Sequence, residues 1–196
     1  MLSALSVARR RVKEPAGTEA LDHLQHEVDR FTTLITDLLE ISRVEAGVAE
    51  LVLEEVEPLA FTGEVLGSMG REAVPVVVER GVPERVRLDP RRMSQILVNL
   101  VQNADNYGGG ATEVHLGADA FHFRSIVDDA GPGIAPAQRD QVFERFVRGA
   151  DPSVPGTGLG LALVKEHVRL HEGTVVIKRA PAGGARFVVT IPRTLT

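Results

Sequence analysis

Cysteine is absent from the 196 residues, and with it go disulfides, zinc–thiolate centres and thiol catalysis. Lysine is scarce, with 3 copies beside 19 arginines, so few candidates exist for a catalytic lysine. No apolar run approaches the ~20 residues that span a bilayer, so no membrane segment is expected. The opening MLSALSVARRR is apolar first and basic second. A secretory leader has the reverse order, so export is not expected and a cytoplasmic location is. A net charge of −5 argues against nucleic acid as the main partner. What is present fits an ordinary globular chain: 43% hydrophobic and 25% charged residues, enough for one domain plus an appendage or two small domains. Glycine is the outstanding excess, with 19 copies that cluster between Tyr107 and Gly160.

Residues 1–13 are compatible with a helix, and EPAGTE at 14–19 reads as a turn. Leu21, Leu24, Val28, Phe31, Ile35 and Leu38 alternate in steps of three and four, the narrow stripe of a helix that needs a helical partner. That helix should end at Gly47, a natural left-handed cap. Beyond it the pattern predicts strands at 51–56, 74–78, 112–116, 121–127, 174–178 and 186–191. Helices are predicted at 58–67, 138–146 and 158–171, and another from an Asp89-Pro90 start to about 107. Mixed hairpins and helices of this kind suggest an α+β two-layer sandwich.

Three segments carry unusual residues. In QILVNLVQNADNY (95–107), Asn99, Asn103 and Tyr107 fall on one side of the helix, apart from the apolar stripe of Met93, Leu97, Leu100, Val101 and Ala104. Amide oxygens can hold a hard cation and amide NH₂ groups can donate to phosphate, although a solvated polar face would look the same. In VDDAGPGIAP (127–136) a strand ends in carboxylates before Gly131 and Gly133. Asp129 could accept a hydrogen bond from an adenine amino group, yet D-x-G-P-G is also plain turn chemistry. In PGTGLGLALVKEHVRLH (155–171), Gly156, Gly158 and Gly160 open an apolar helix whose bare N-terminus suits phosphates. The P-loop Lys-Ser/Thr pair and the spacing of a Rossmann turn are both missing.

Taken in order, the three segments resemble the N, G1 and G2 boxes of the GHKL (Bergerat) ATP-binding fold, and VFERFVRG (142–149) resembles its F box. LLEISRVEAG (38–47) resembles the end of the second bundle helix in sensor histidine kinases. LDPRRMSQILVNLVQNA, HEGTVVI and GARFVVTIP fit that family's catalytic domain, so the resemblance covers residues 21–192. It implies a helical-hairpin remnant at 1–47, mainly the second helix of the dimerisation and phosphoacceptor hairpin, then a catalytic ATP-binding domain at 48–196.

By that match Asn103 would hold Mg²⁺ on the ATP phosphates, with Asn99 in support and Arg148 approaching the γ-phosphate as a lid arginine. Tyr107 would pack by the nucleotide, Asp129 would read adenine, and Gly131 and Gly133 would leave room for the base. Gly156, Thr157, Gly158, Leu159 and Gly160 would wrap the triphosphate, with 151–155 as a short ATP lid. Asn106 stands where many relatives carry a basic residue, which removes a phosphate-side cation. Hydrolysing relatives have Glu where this chain has Asn99. An amide is no general base near neutral pH, so phosphoryl transfer by positioning and charge neutralisation is favoured.

The family's acceptor motif, H-E/D-x-x-T/N-P-L, is missing. MLSALSVARRR looks like the tail of the helix that bears it, so the acceptor helix would be met in cis or in trans, in a longer protein or in a separate partner chain. Autophosphorylation of the chain alone is not expected. A response regulator is the implied onward partner, and a monomer or weak dimer the implied state. His26-Glu27 sits on the wrong helix to be the acceptor. His167 and His171, at i and i+4, could hold a metal, but His171 matches the family's helix-ending position, where an imidazole at a helix C-terminus is favourable. His23, His115 and His122 have no constellation around them. Two alternatives stand beside the histidine-kinase reading. One is a serine/threonine kinase resembling anti-sigma-factor kinases, and the other a non-catalytic ATP-binding or interaction module.

Overall fold

In a computed structural model, residues 15–149, 154 and 156–193 are described, so the expectation for 1–13 lies outside them. The chain divides into two compact units, residues 1–39 and 40–196. Helix α1 spans Pro15–Glu45 and takes in residues expected as a turn. Pro15 is its first residue, where proline's fixed φ and missing N–H cost nothing. The heptad stripe is present, with Leu24, Phe31 and Ile35 exposed. The end of α1 is a Schellman cap: Gly47 has φ +69°, its N–H donates to Val44 O, and Val48 N–H donates to Arg43 O.

The second unit is a two-layer α+β sandwich. Strands β2 (Val76–Val78), β4 (Ala111–Ala118), β5 (His122–Asp129), β6 (Thr174–Arg179) and β7 (Ala185–Pro192) form one sheet in the order β2-β4-β5-β7-β6. Only the β2–β4 pairing is parallel. Strands β1 (Glu54–Val56) and β3 (Val86–Leu88) make a separate antiparallel pair. At three residues each, β1 and β2 are shorter than expected, and β3 was not expected at all. The short helix expected at 138–146 is two 3₁₀ turns, Pro136–Gln138 and Gln141–Phe143.

Helices α2 (Pro58–Ser68), α3 (Pro90–Tyr107) and α4 (Gly160–Leu170) supply one side of the core. The stripe read from the sequence is the buried face of α3: Met93, Leu97, Leu100, Val101 and Ala104, joined by Ile96. Opposite them alternate residues of the sheet point inward, among them Val114, Leu116, Phe123, Val127 and Phe187. The intervening residues form an outer face. At the β4–β5 turn, Asp119 Oδ1 accepts the Phe121 and His122 N–H groups. Those two bonds hold its pKa down to about 2.

A buried polar network ties the end of α1 to α3 and α4. Asp89 caps α3, accepting Arg92 N–H at 3.0 Å and Val52 N–H at 3.0 Å through its other oxygen. Arg92 Nη1 lies 2.5 Å from Glu40 Oε1, and Arg91 Nη2 lies 3.0 Å from the same oxygen. Burial alone would raise the Glu40 pKa, but the two arginines outweigh it and hold it below the ordinary value.

His171 stands at the end of α4, as expected. It is fully buried, its Nε2 accepts Asp89 N–H at 3.1 Å, and its Nδ1 donates to His167 O at 2.8 Å. Both bonds need the neutral Nδ1–H tautomer, and burial lowers its pKa. His167 is also fully buried, and neither ring nitrogen has a hydrogen-bond partner among the described residues. Burial first, and the Arg92 charge second, push its pKa down to about 4.

A depressed histidine pKa stabilises the fold fully above the unfolded value of 6.5 and loses that contribution as pH falls toward 4. Melting curves between pH 7 and 4 are therefore expected to show an acid-side loss of about 3 kcal/mol from His167. A His167→Met variant should lack that slope, and an unchanged slope would refute the assignment.

Candidate nucleotide-binding site

Helix α3 emerges beside the ends of β5 and β7, and a cavity of about 370 Å³ opens there. Asn103, Tyr107, Asp129, Gly133 and Arg148 all line it. These five come from three separated segments of the chain. Ile134, Val142, Val147 and Leu161 supply an apolar wall, a mixture suited to a flat heteroaromatic ligand with a polar edge. Asn99 and Asn103 are half-buried one helical turn apart, and Tyr107 is partly exposed at the helix end.

Asp129 is 4% exposed, and its position is heavily determined. One carboxylate oxygen, Oδ1, accepts Gly131 N–H and Ala185 N–H, each at 2.9 Å. Two glycines that sequence reading left without a role press against it. A Cβ on Gly108 would come within 2.5 Å of Asp129 Cβ, and one on Gly184 would collide with Asp129 O and Oδ1. Gly108 opens a GGG run after Tyr107 and Gly184 closes a GG pair before β7, patterns that by themselves carry no mark of this contact. Gly131 gives up its side-chain space to Gly108 Cα and Tyr107 O, so its lack of a side chain serves a backbone contact. Gly133 has φ +75° and lies beside the Gly184 carbonyl.

The third glycine segment sits at the start of α4. The first N–H groups of any helix lack intrahelical partners, and the N-cap residue Leu159 supplies no side-chain cap to this one. Thr157 Oγ1 accepts Leu159 N–H at 3.3 Å, and Leu159 is fully buried. A Cβ on Gly160 would approach Asn99 Oδ1 to 2.8 Å, so this helix start and the asparagine side of α3 adjoin. Gly158, at φ +72°, packs on the Phe146 backbone. Phe146, itself at φ +64°, donates its N–H to Gly158 O at 2.8 Å. Arg148 Nη2 donates to Val154 O, and a Cβ on Gly149 would strike the Tyr107 ring. Of the expected lid, 151–153 and 155 lie outside the described residues.

Glu113, His115 and Asp128 are the one group among the described residues with metal-ligand proximity. The pair His167 and His171 is not such a group, since His171 commits both ring nitrogens, to Asp89 N–H and to the His167 carbonyl.

A family model described as "Histidine kinase-, DNA gyrase B-, and HSP90-like ATPase" matches residues 88–195. Sensor histidine kinase MtrB of Mycobacterium leprae is 38% identical over 91% of this chain, and the match covers 34% of that protein. Signal transduction histidine-protein kinase AfsQ2 of Streptomyces coelicolor is 34% identical over 92% of this chain and 34% of its own. The chain thus spans about a third of the length of these relatives. Among solved structures, ShkA, determined full-length in complex with AMPPNP, matches with a TM-score of 0.78 and 27% identity, over 96% of this chain and 41% of its own. No helix of the described residues is long and apolar enough to cross a membrane. The chain belongs to the histidine kinase-, DNA gyrase B- and HSP90-like ATPase family, as an ATP-binding catalytic domain homologous to those of sensor histidine kinases.

Proposed function

We propose that residues 48–196 bind Mg-ATP and transfer its γ-phosphoryl group to a histidine imidazole supplied by another segment or another chain, leaving ADP. The observation that supports this best is the convergence of Asn103, Asp129 and Arg148 on one cavity, with the uncapped start of α4 adjoining Asn99. In this reading Asp129 accepts from the adenine amino group, Tyr107 packs by the base, and the Gly156–Gly160 N–H groups hold phosphate. Asn103, with Asn99 beside it, offers the neutral hard oxygen that Mg²⁺ accepts while keeping several waters. Bound there, Mg²⁺ would offset charge on the phosphates. Arg148 reaches the γ-phosphate side as a fixed cation.

Asn99 cannot take a proton from water, which favours transfer over hydrolysis. The helix Pro15–Glu45 acts as one arm of the hairpin that presents the acceptor. The exposed Leu24, Phe31 and Ile35 stripe is then the surface that meets a second helix, and a response-regulator aspartate is the onward acceptor.

Labelled ATP tests the assignment in three samples: the chain alone, the chain with an acceptor-helix fragment, and the Asn103→Ala chain with that fragment. Acid-labile label is expected on the fragment in the second sample only. Label on His26, or brisk hydrolysis without any acceptor, would overturn it.

A further inference from the structure

The outer face of the sheet holds a cluster that the ATP site does not use. Strand alternation places Glu113 and His115, two apart on β4, on the same side. A bulge brings Asp128 of β5 alongside them. Ala111 pairs with Asp129 and Glu113 with Asp128, so the register slips by one at Thr112, whose Oγ1 donates to Asp128 O. Without the slip Thr112, not Glu113, would face Asp128. Bulges of this kind re-aim side chains beside functional sites.

His115 Nε2 lies 2.7 Å from Glu113 Oε2 and 3.5 Å from Asp128 Oδ2, and the three ligand atoms lie within 4.8 Å of one another. Those separations bracket the edge of about 3.3 Å expected between ligands of a tetrahedral site with bonds near 2.0–2.1 Å. Arg186 of β7 already contacts the cluster, with Nε 2.7 Å from Asp128 Oδ1 and Nη2 2.6 Å from Oδ2. Each carboxylate oxygen accepts more than one bond, so Oδ2 keeps an acceptor direction. Two carboxylates facing one guanidinium leave a negative charge around the imidazole.

We propose that Glu113 Oε2, His115 Nε2 and Asp128 Oδ2 form a site for a borderline transition-metal dication, with Zn²⁺ as the type case and water completing the shell. A nitrogen donor among carboxylates selects zinc, nickel or copper over the hard, oxygen-seeking Mg²⁺, so this site is chemically distinct from the nucleotide site. Asp128 and Asp129 are consecutive and point to opposite faces, which sets the ion behind the cavity with the sheet between.

The test is a chelator-buffered Zn²⁺ titration of the whole chain without nucleotide, read by bound stoichiometry and melting temperature. One equivalent and a higher melting temperature are expected. Glu113→Gln and His115→Asn should each weaken binding by about tenfold or more, as loss of one ligand in three. Arg186→Gln, which removes the competing cation, should tighten it. Co²⁺ in place of zinc should give visible bands that vanish in Glu113→Gln. That variant is near-isosteric on a partly exposed side chain, so it decides the matter even if His115→Asn fails to fold. No Zn²⁺ binding overturns the proposal. So does an affinity unchanged in Glu113→Gln, or binding that disappears in a His23→Asn/His26→Asn variant.

Discussion

Asp129→Ala is expected to cost about 3 kcal/mol of stability and all measurable nucleotide affinity, while Asp129→Asn should separate the two losses. The reason lies in how the carboxylate is divided. Oδ1 accepts two backbone N–H groups, from Gly131 and Ala185, and a truncated side chain strands both in a buried site at about 1–3 kcal/mol each. An asparagine oxygen can take over both bonds, so its melting temperature should stay near that of the parent. Its NH₂, however, stands where the second oxygen stood and points a donor at the donor amino group of the purine. Losing a hydrogen bond to a charged group costs about 1.5–3 kcal/mol, roughly 10- to 100-fold in affinity. Calorimetric titration with a non-hydrolysable ATP analogue checks the affinity and thermal melts check the fold. Parental affinity in Asp129→Asn would remove Asp129 from the adenine-reading role.

Arg92→Met is expected to be the more damaging change to the fold, at about 3–5 kcal/mol. Arg92 is 6% exposed and Glu40 13% exposed. Removing the guanidinium leaves Glu40 with Arg91, which is largely in solvent, and with the His167 ring at 3.6 Å, and deprives the Glu50 carbonyl of its donor. A buried charge stripped of its partner is far costlier than the intact pair is worth. The double variant Arg92→Met/Glu40→Met should therefore recover part of the loss. Chemical denaturation of the four proteins forms a double-mutant cycle that measures the coupling directly. A double variant as unstable as the sum of the singles would show that the pair is not coupled.

Much of this architecture is legible in the sequence wherever the determining physics is local. The buried stripe of α3, its Asp89-Pro90 start and the Gly47 cap each depend on residues within a turn or two of one another. The candidate site was legible for a different reason. Its residues recur in an order that resembles a known ATP-binding fold, and the structure gathers Asn103, Tyr107, Asp129, Gly133 and Arg148 around one cavity. What stayed hidden depends on contacts far along the chain. Strand β3 is three residues long and exists by pairing with β1. Gly108 and Gly184 are glycines because of where Asp129 stands, which no local pattern encodes. His171 reads only as a favourable imidazole at a helix end, and its bond from the N–H of Asp89, 82 residues away, has no local signature. His115 looked isolated because its partners come from two strands and a bulge.

The bond from Phe146 N–H to Gly158 O also has an evolutionary consequence. It joins Phe146 to Gly158, so the chain between them starts and ends at a fixed pair. The entropic penalty of closing such a loop grows only logarithmically, about 0.6 kcal/mol for each doubling of its length. Insertions placed after Gly149, beyond the cavity-lining Val147, Arg148 and Gly149, should therefore be thermodynamically cheap. The length and sequence of that loop can diverge while its paired ends stay fixed.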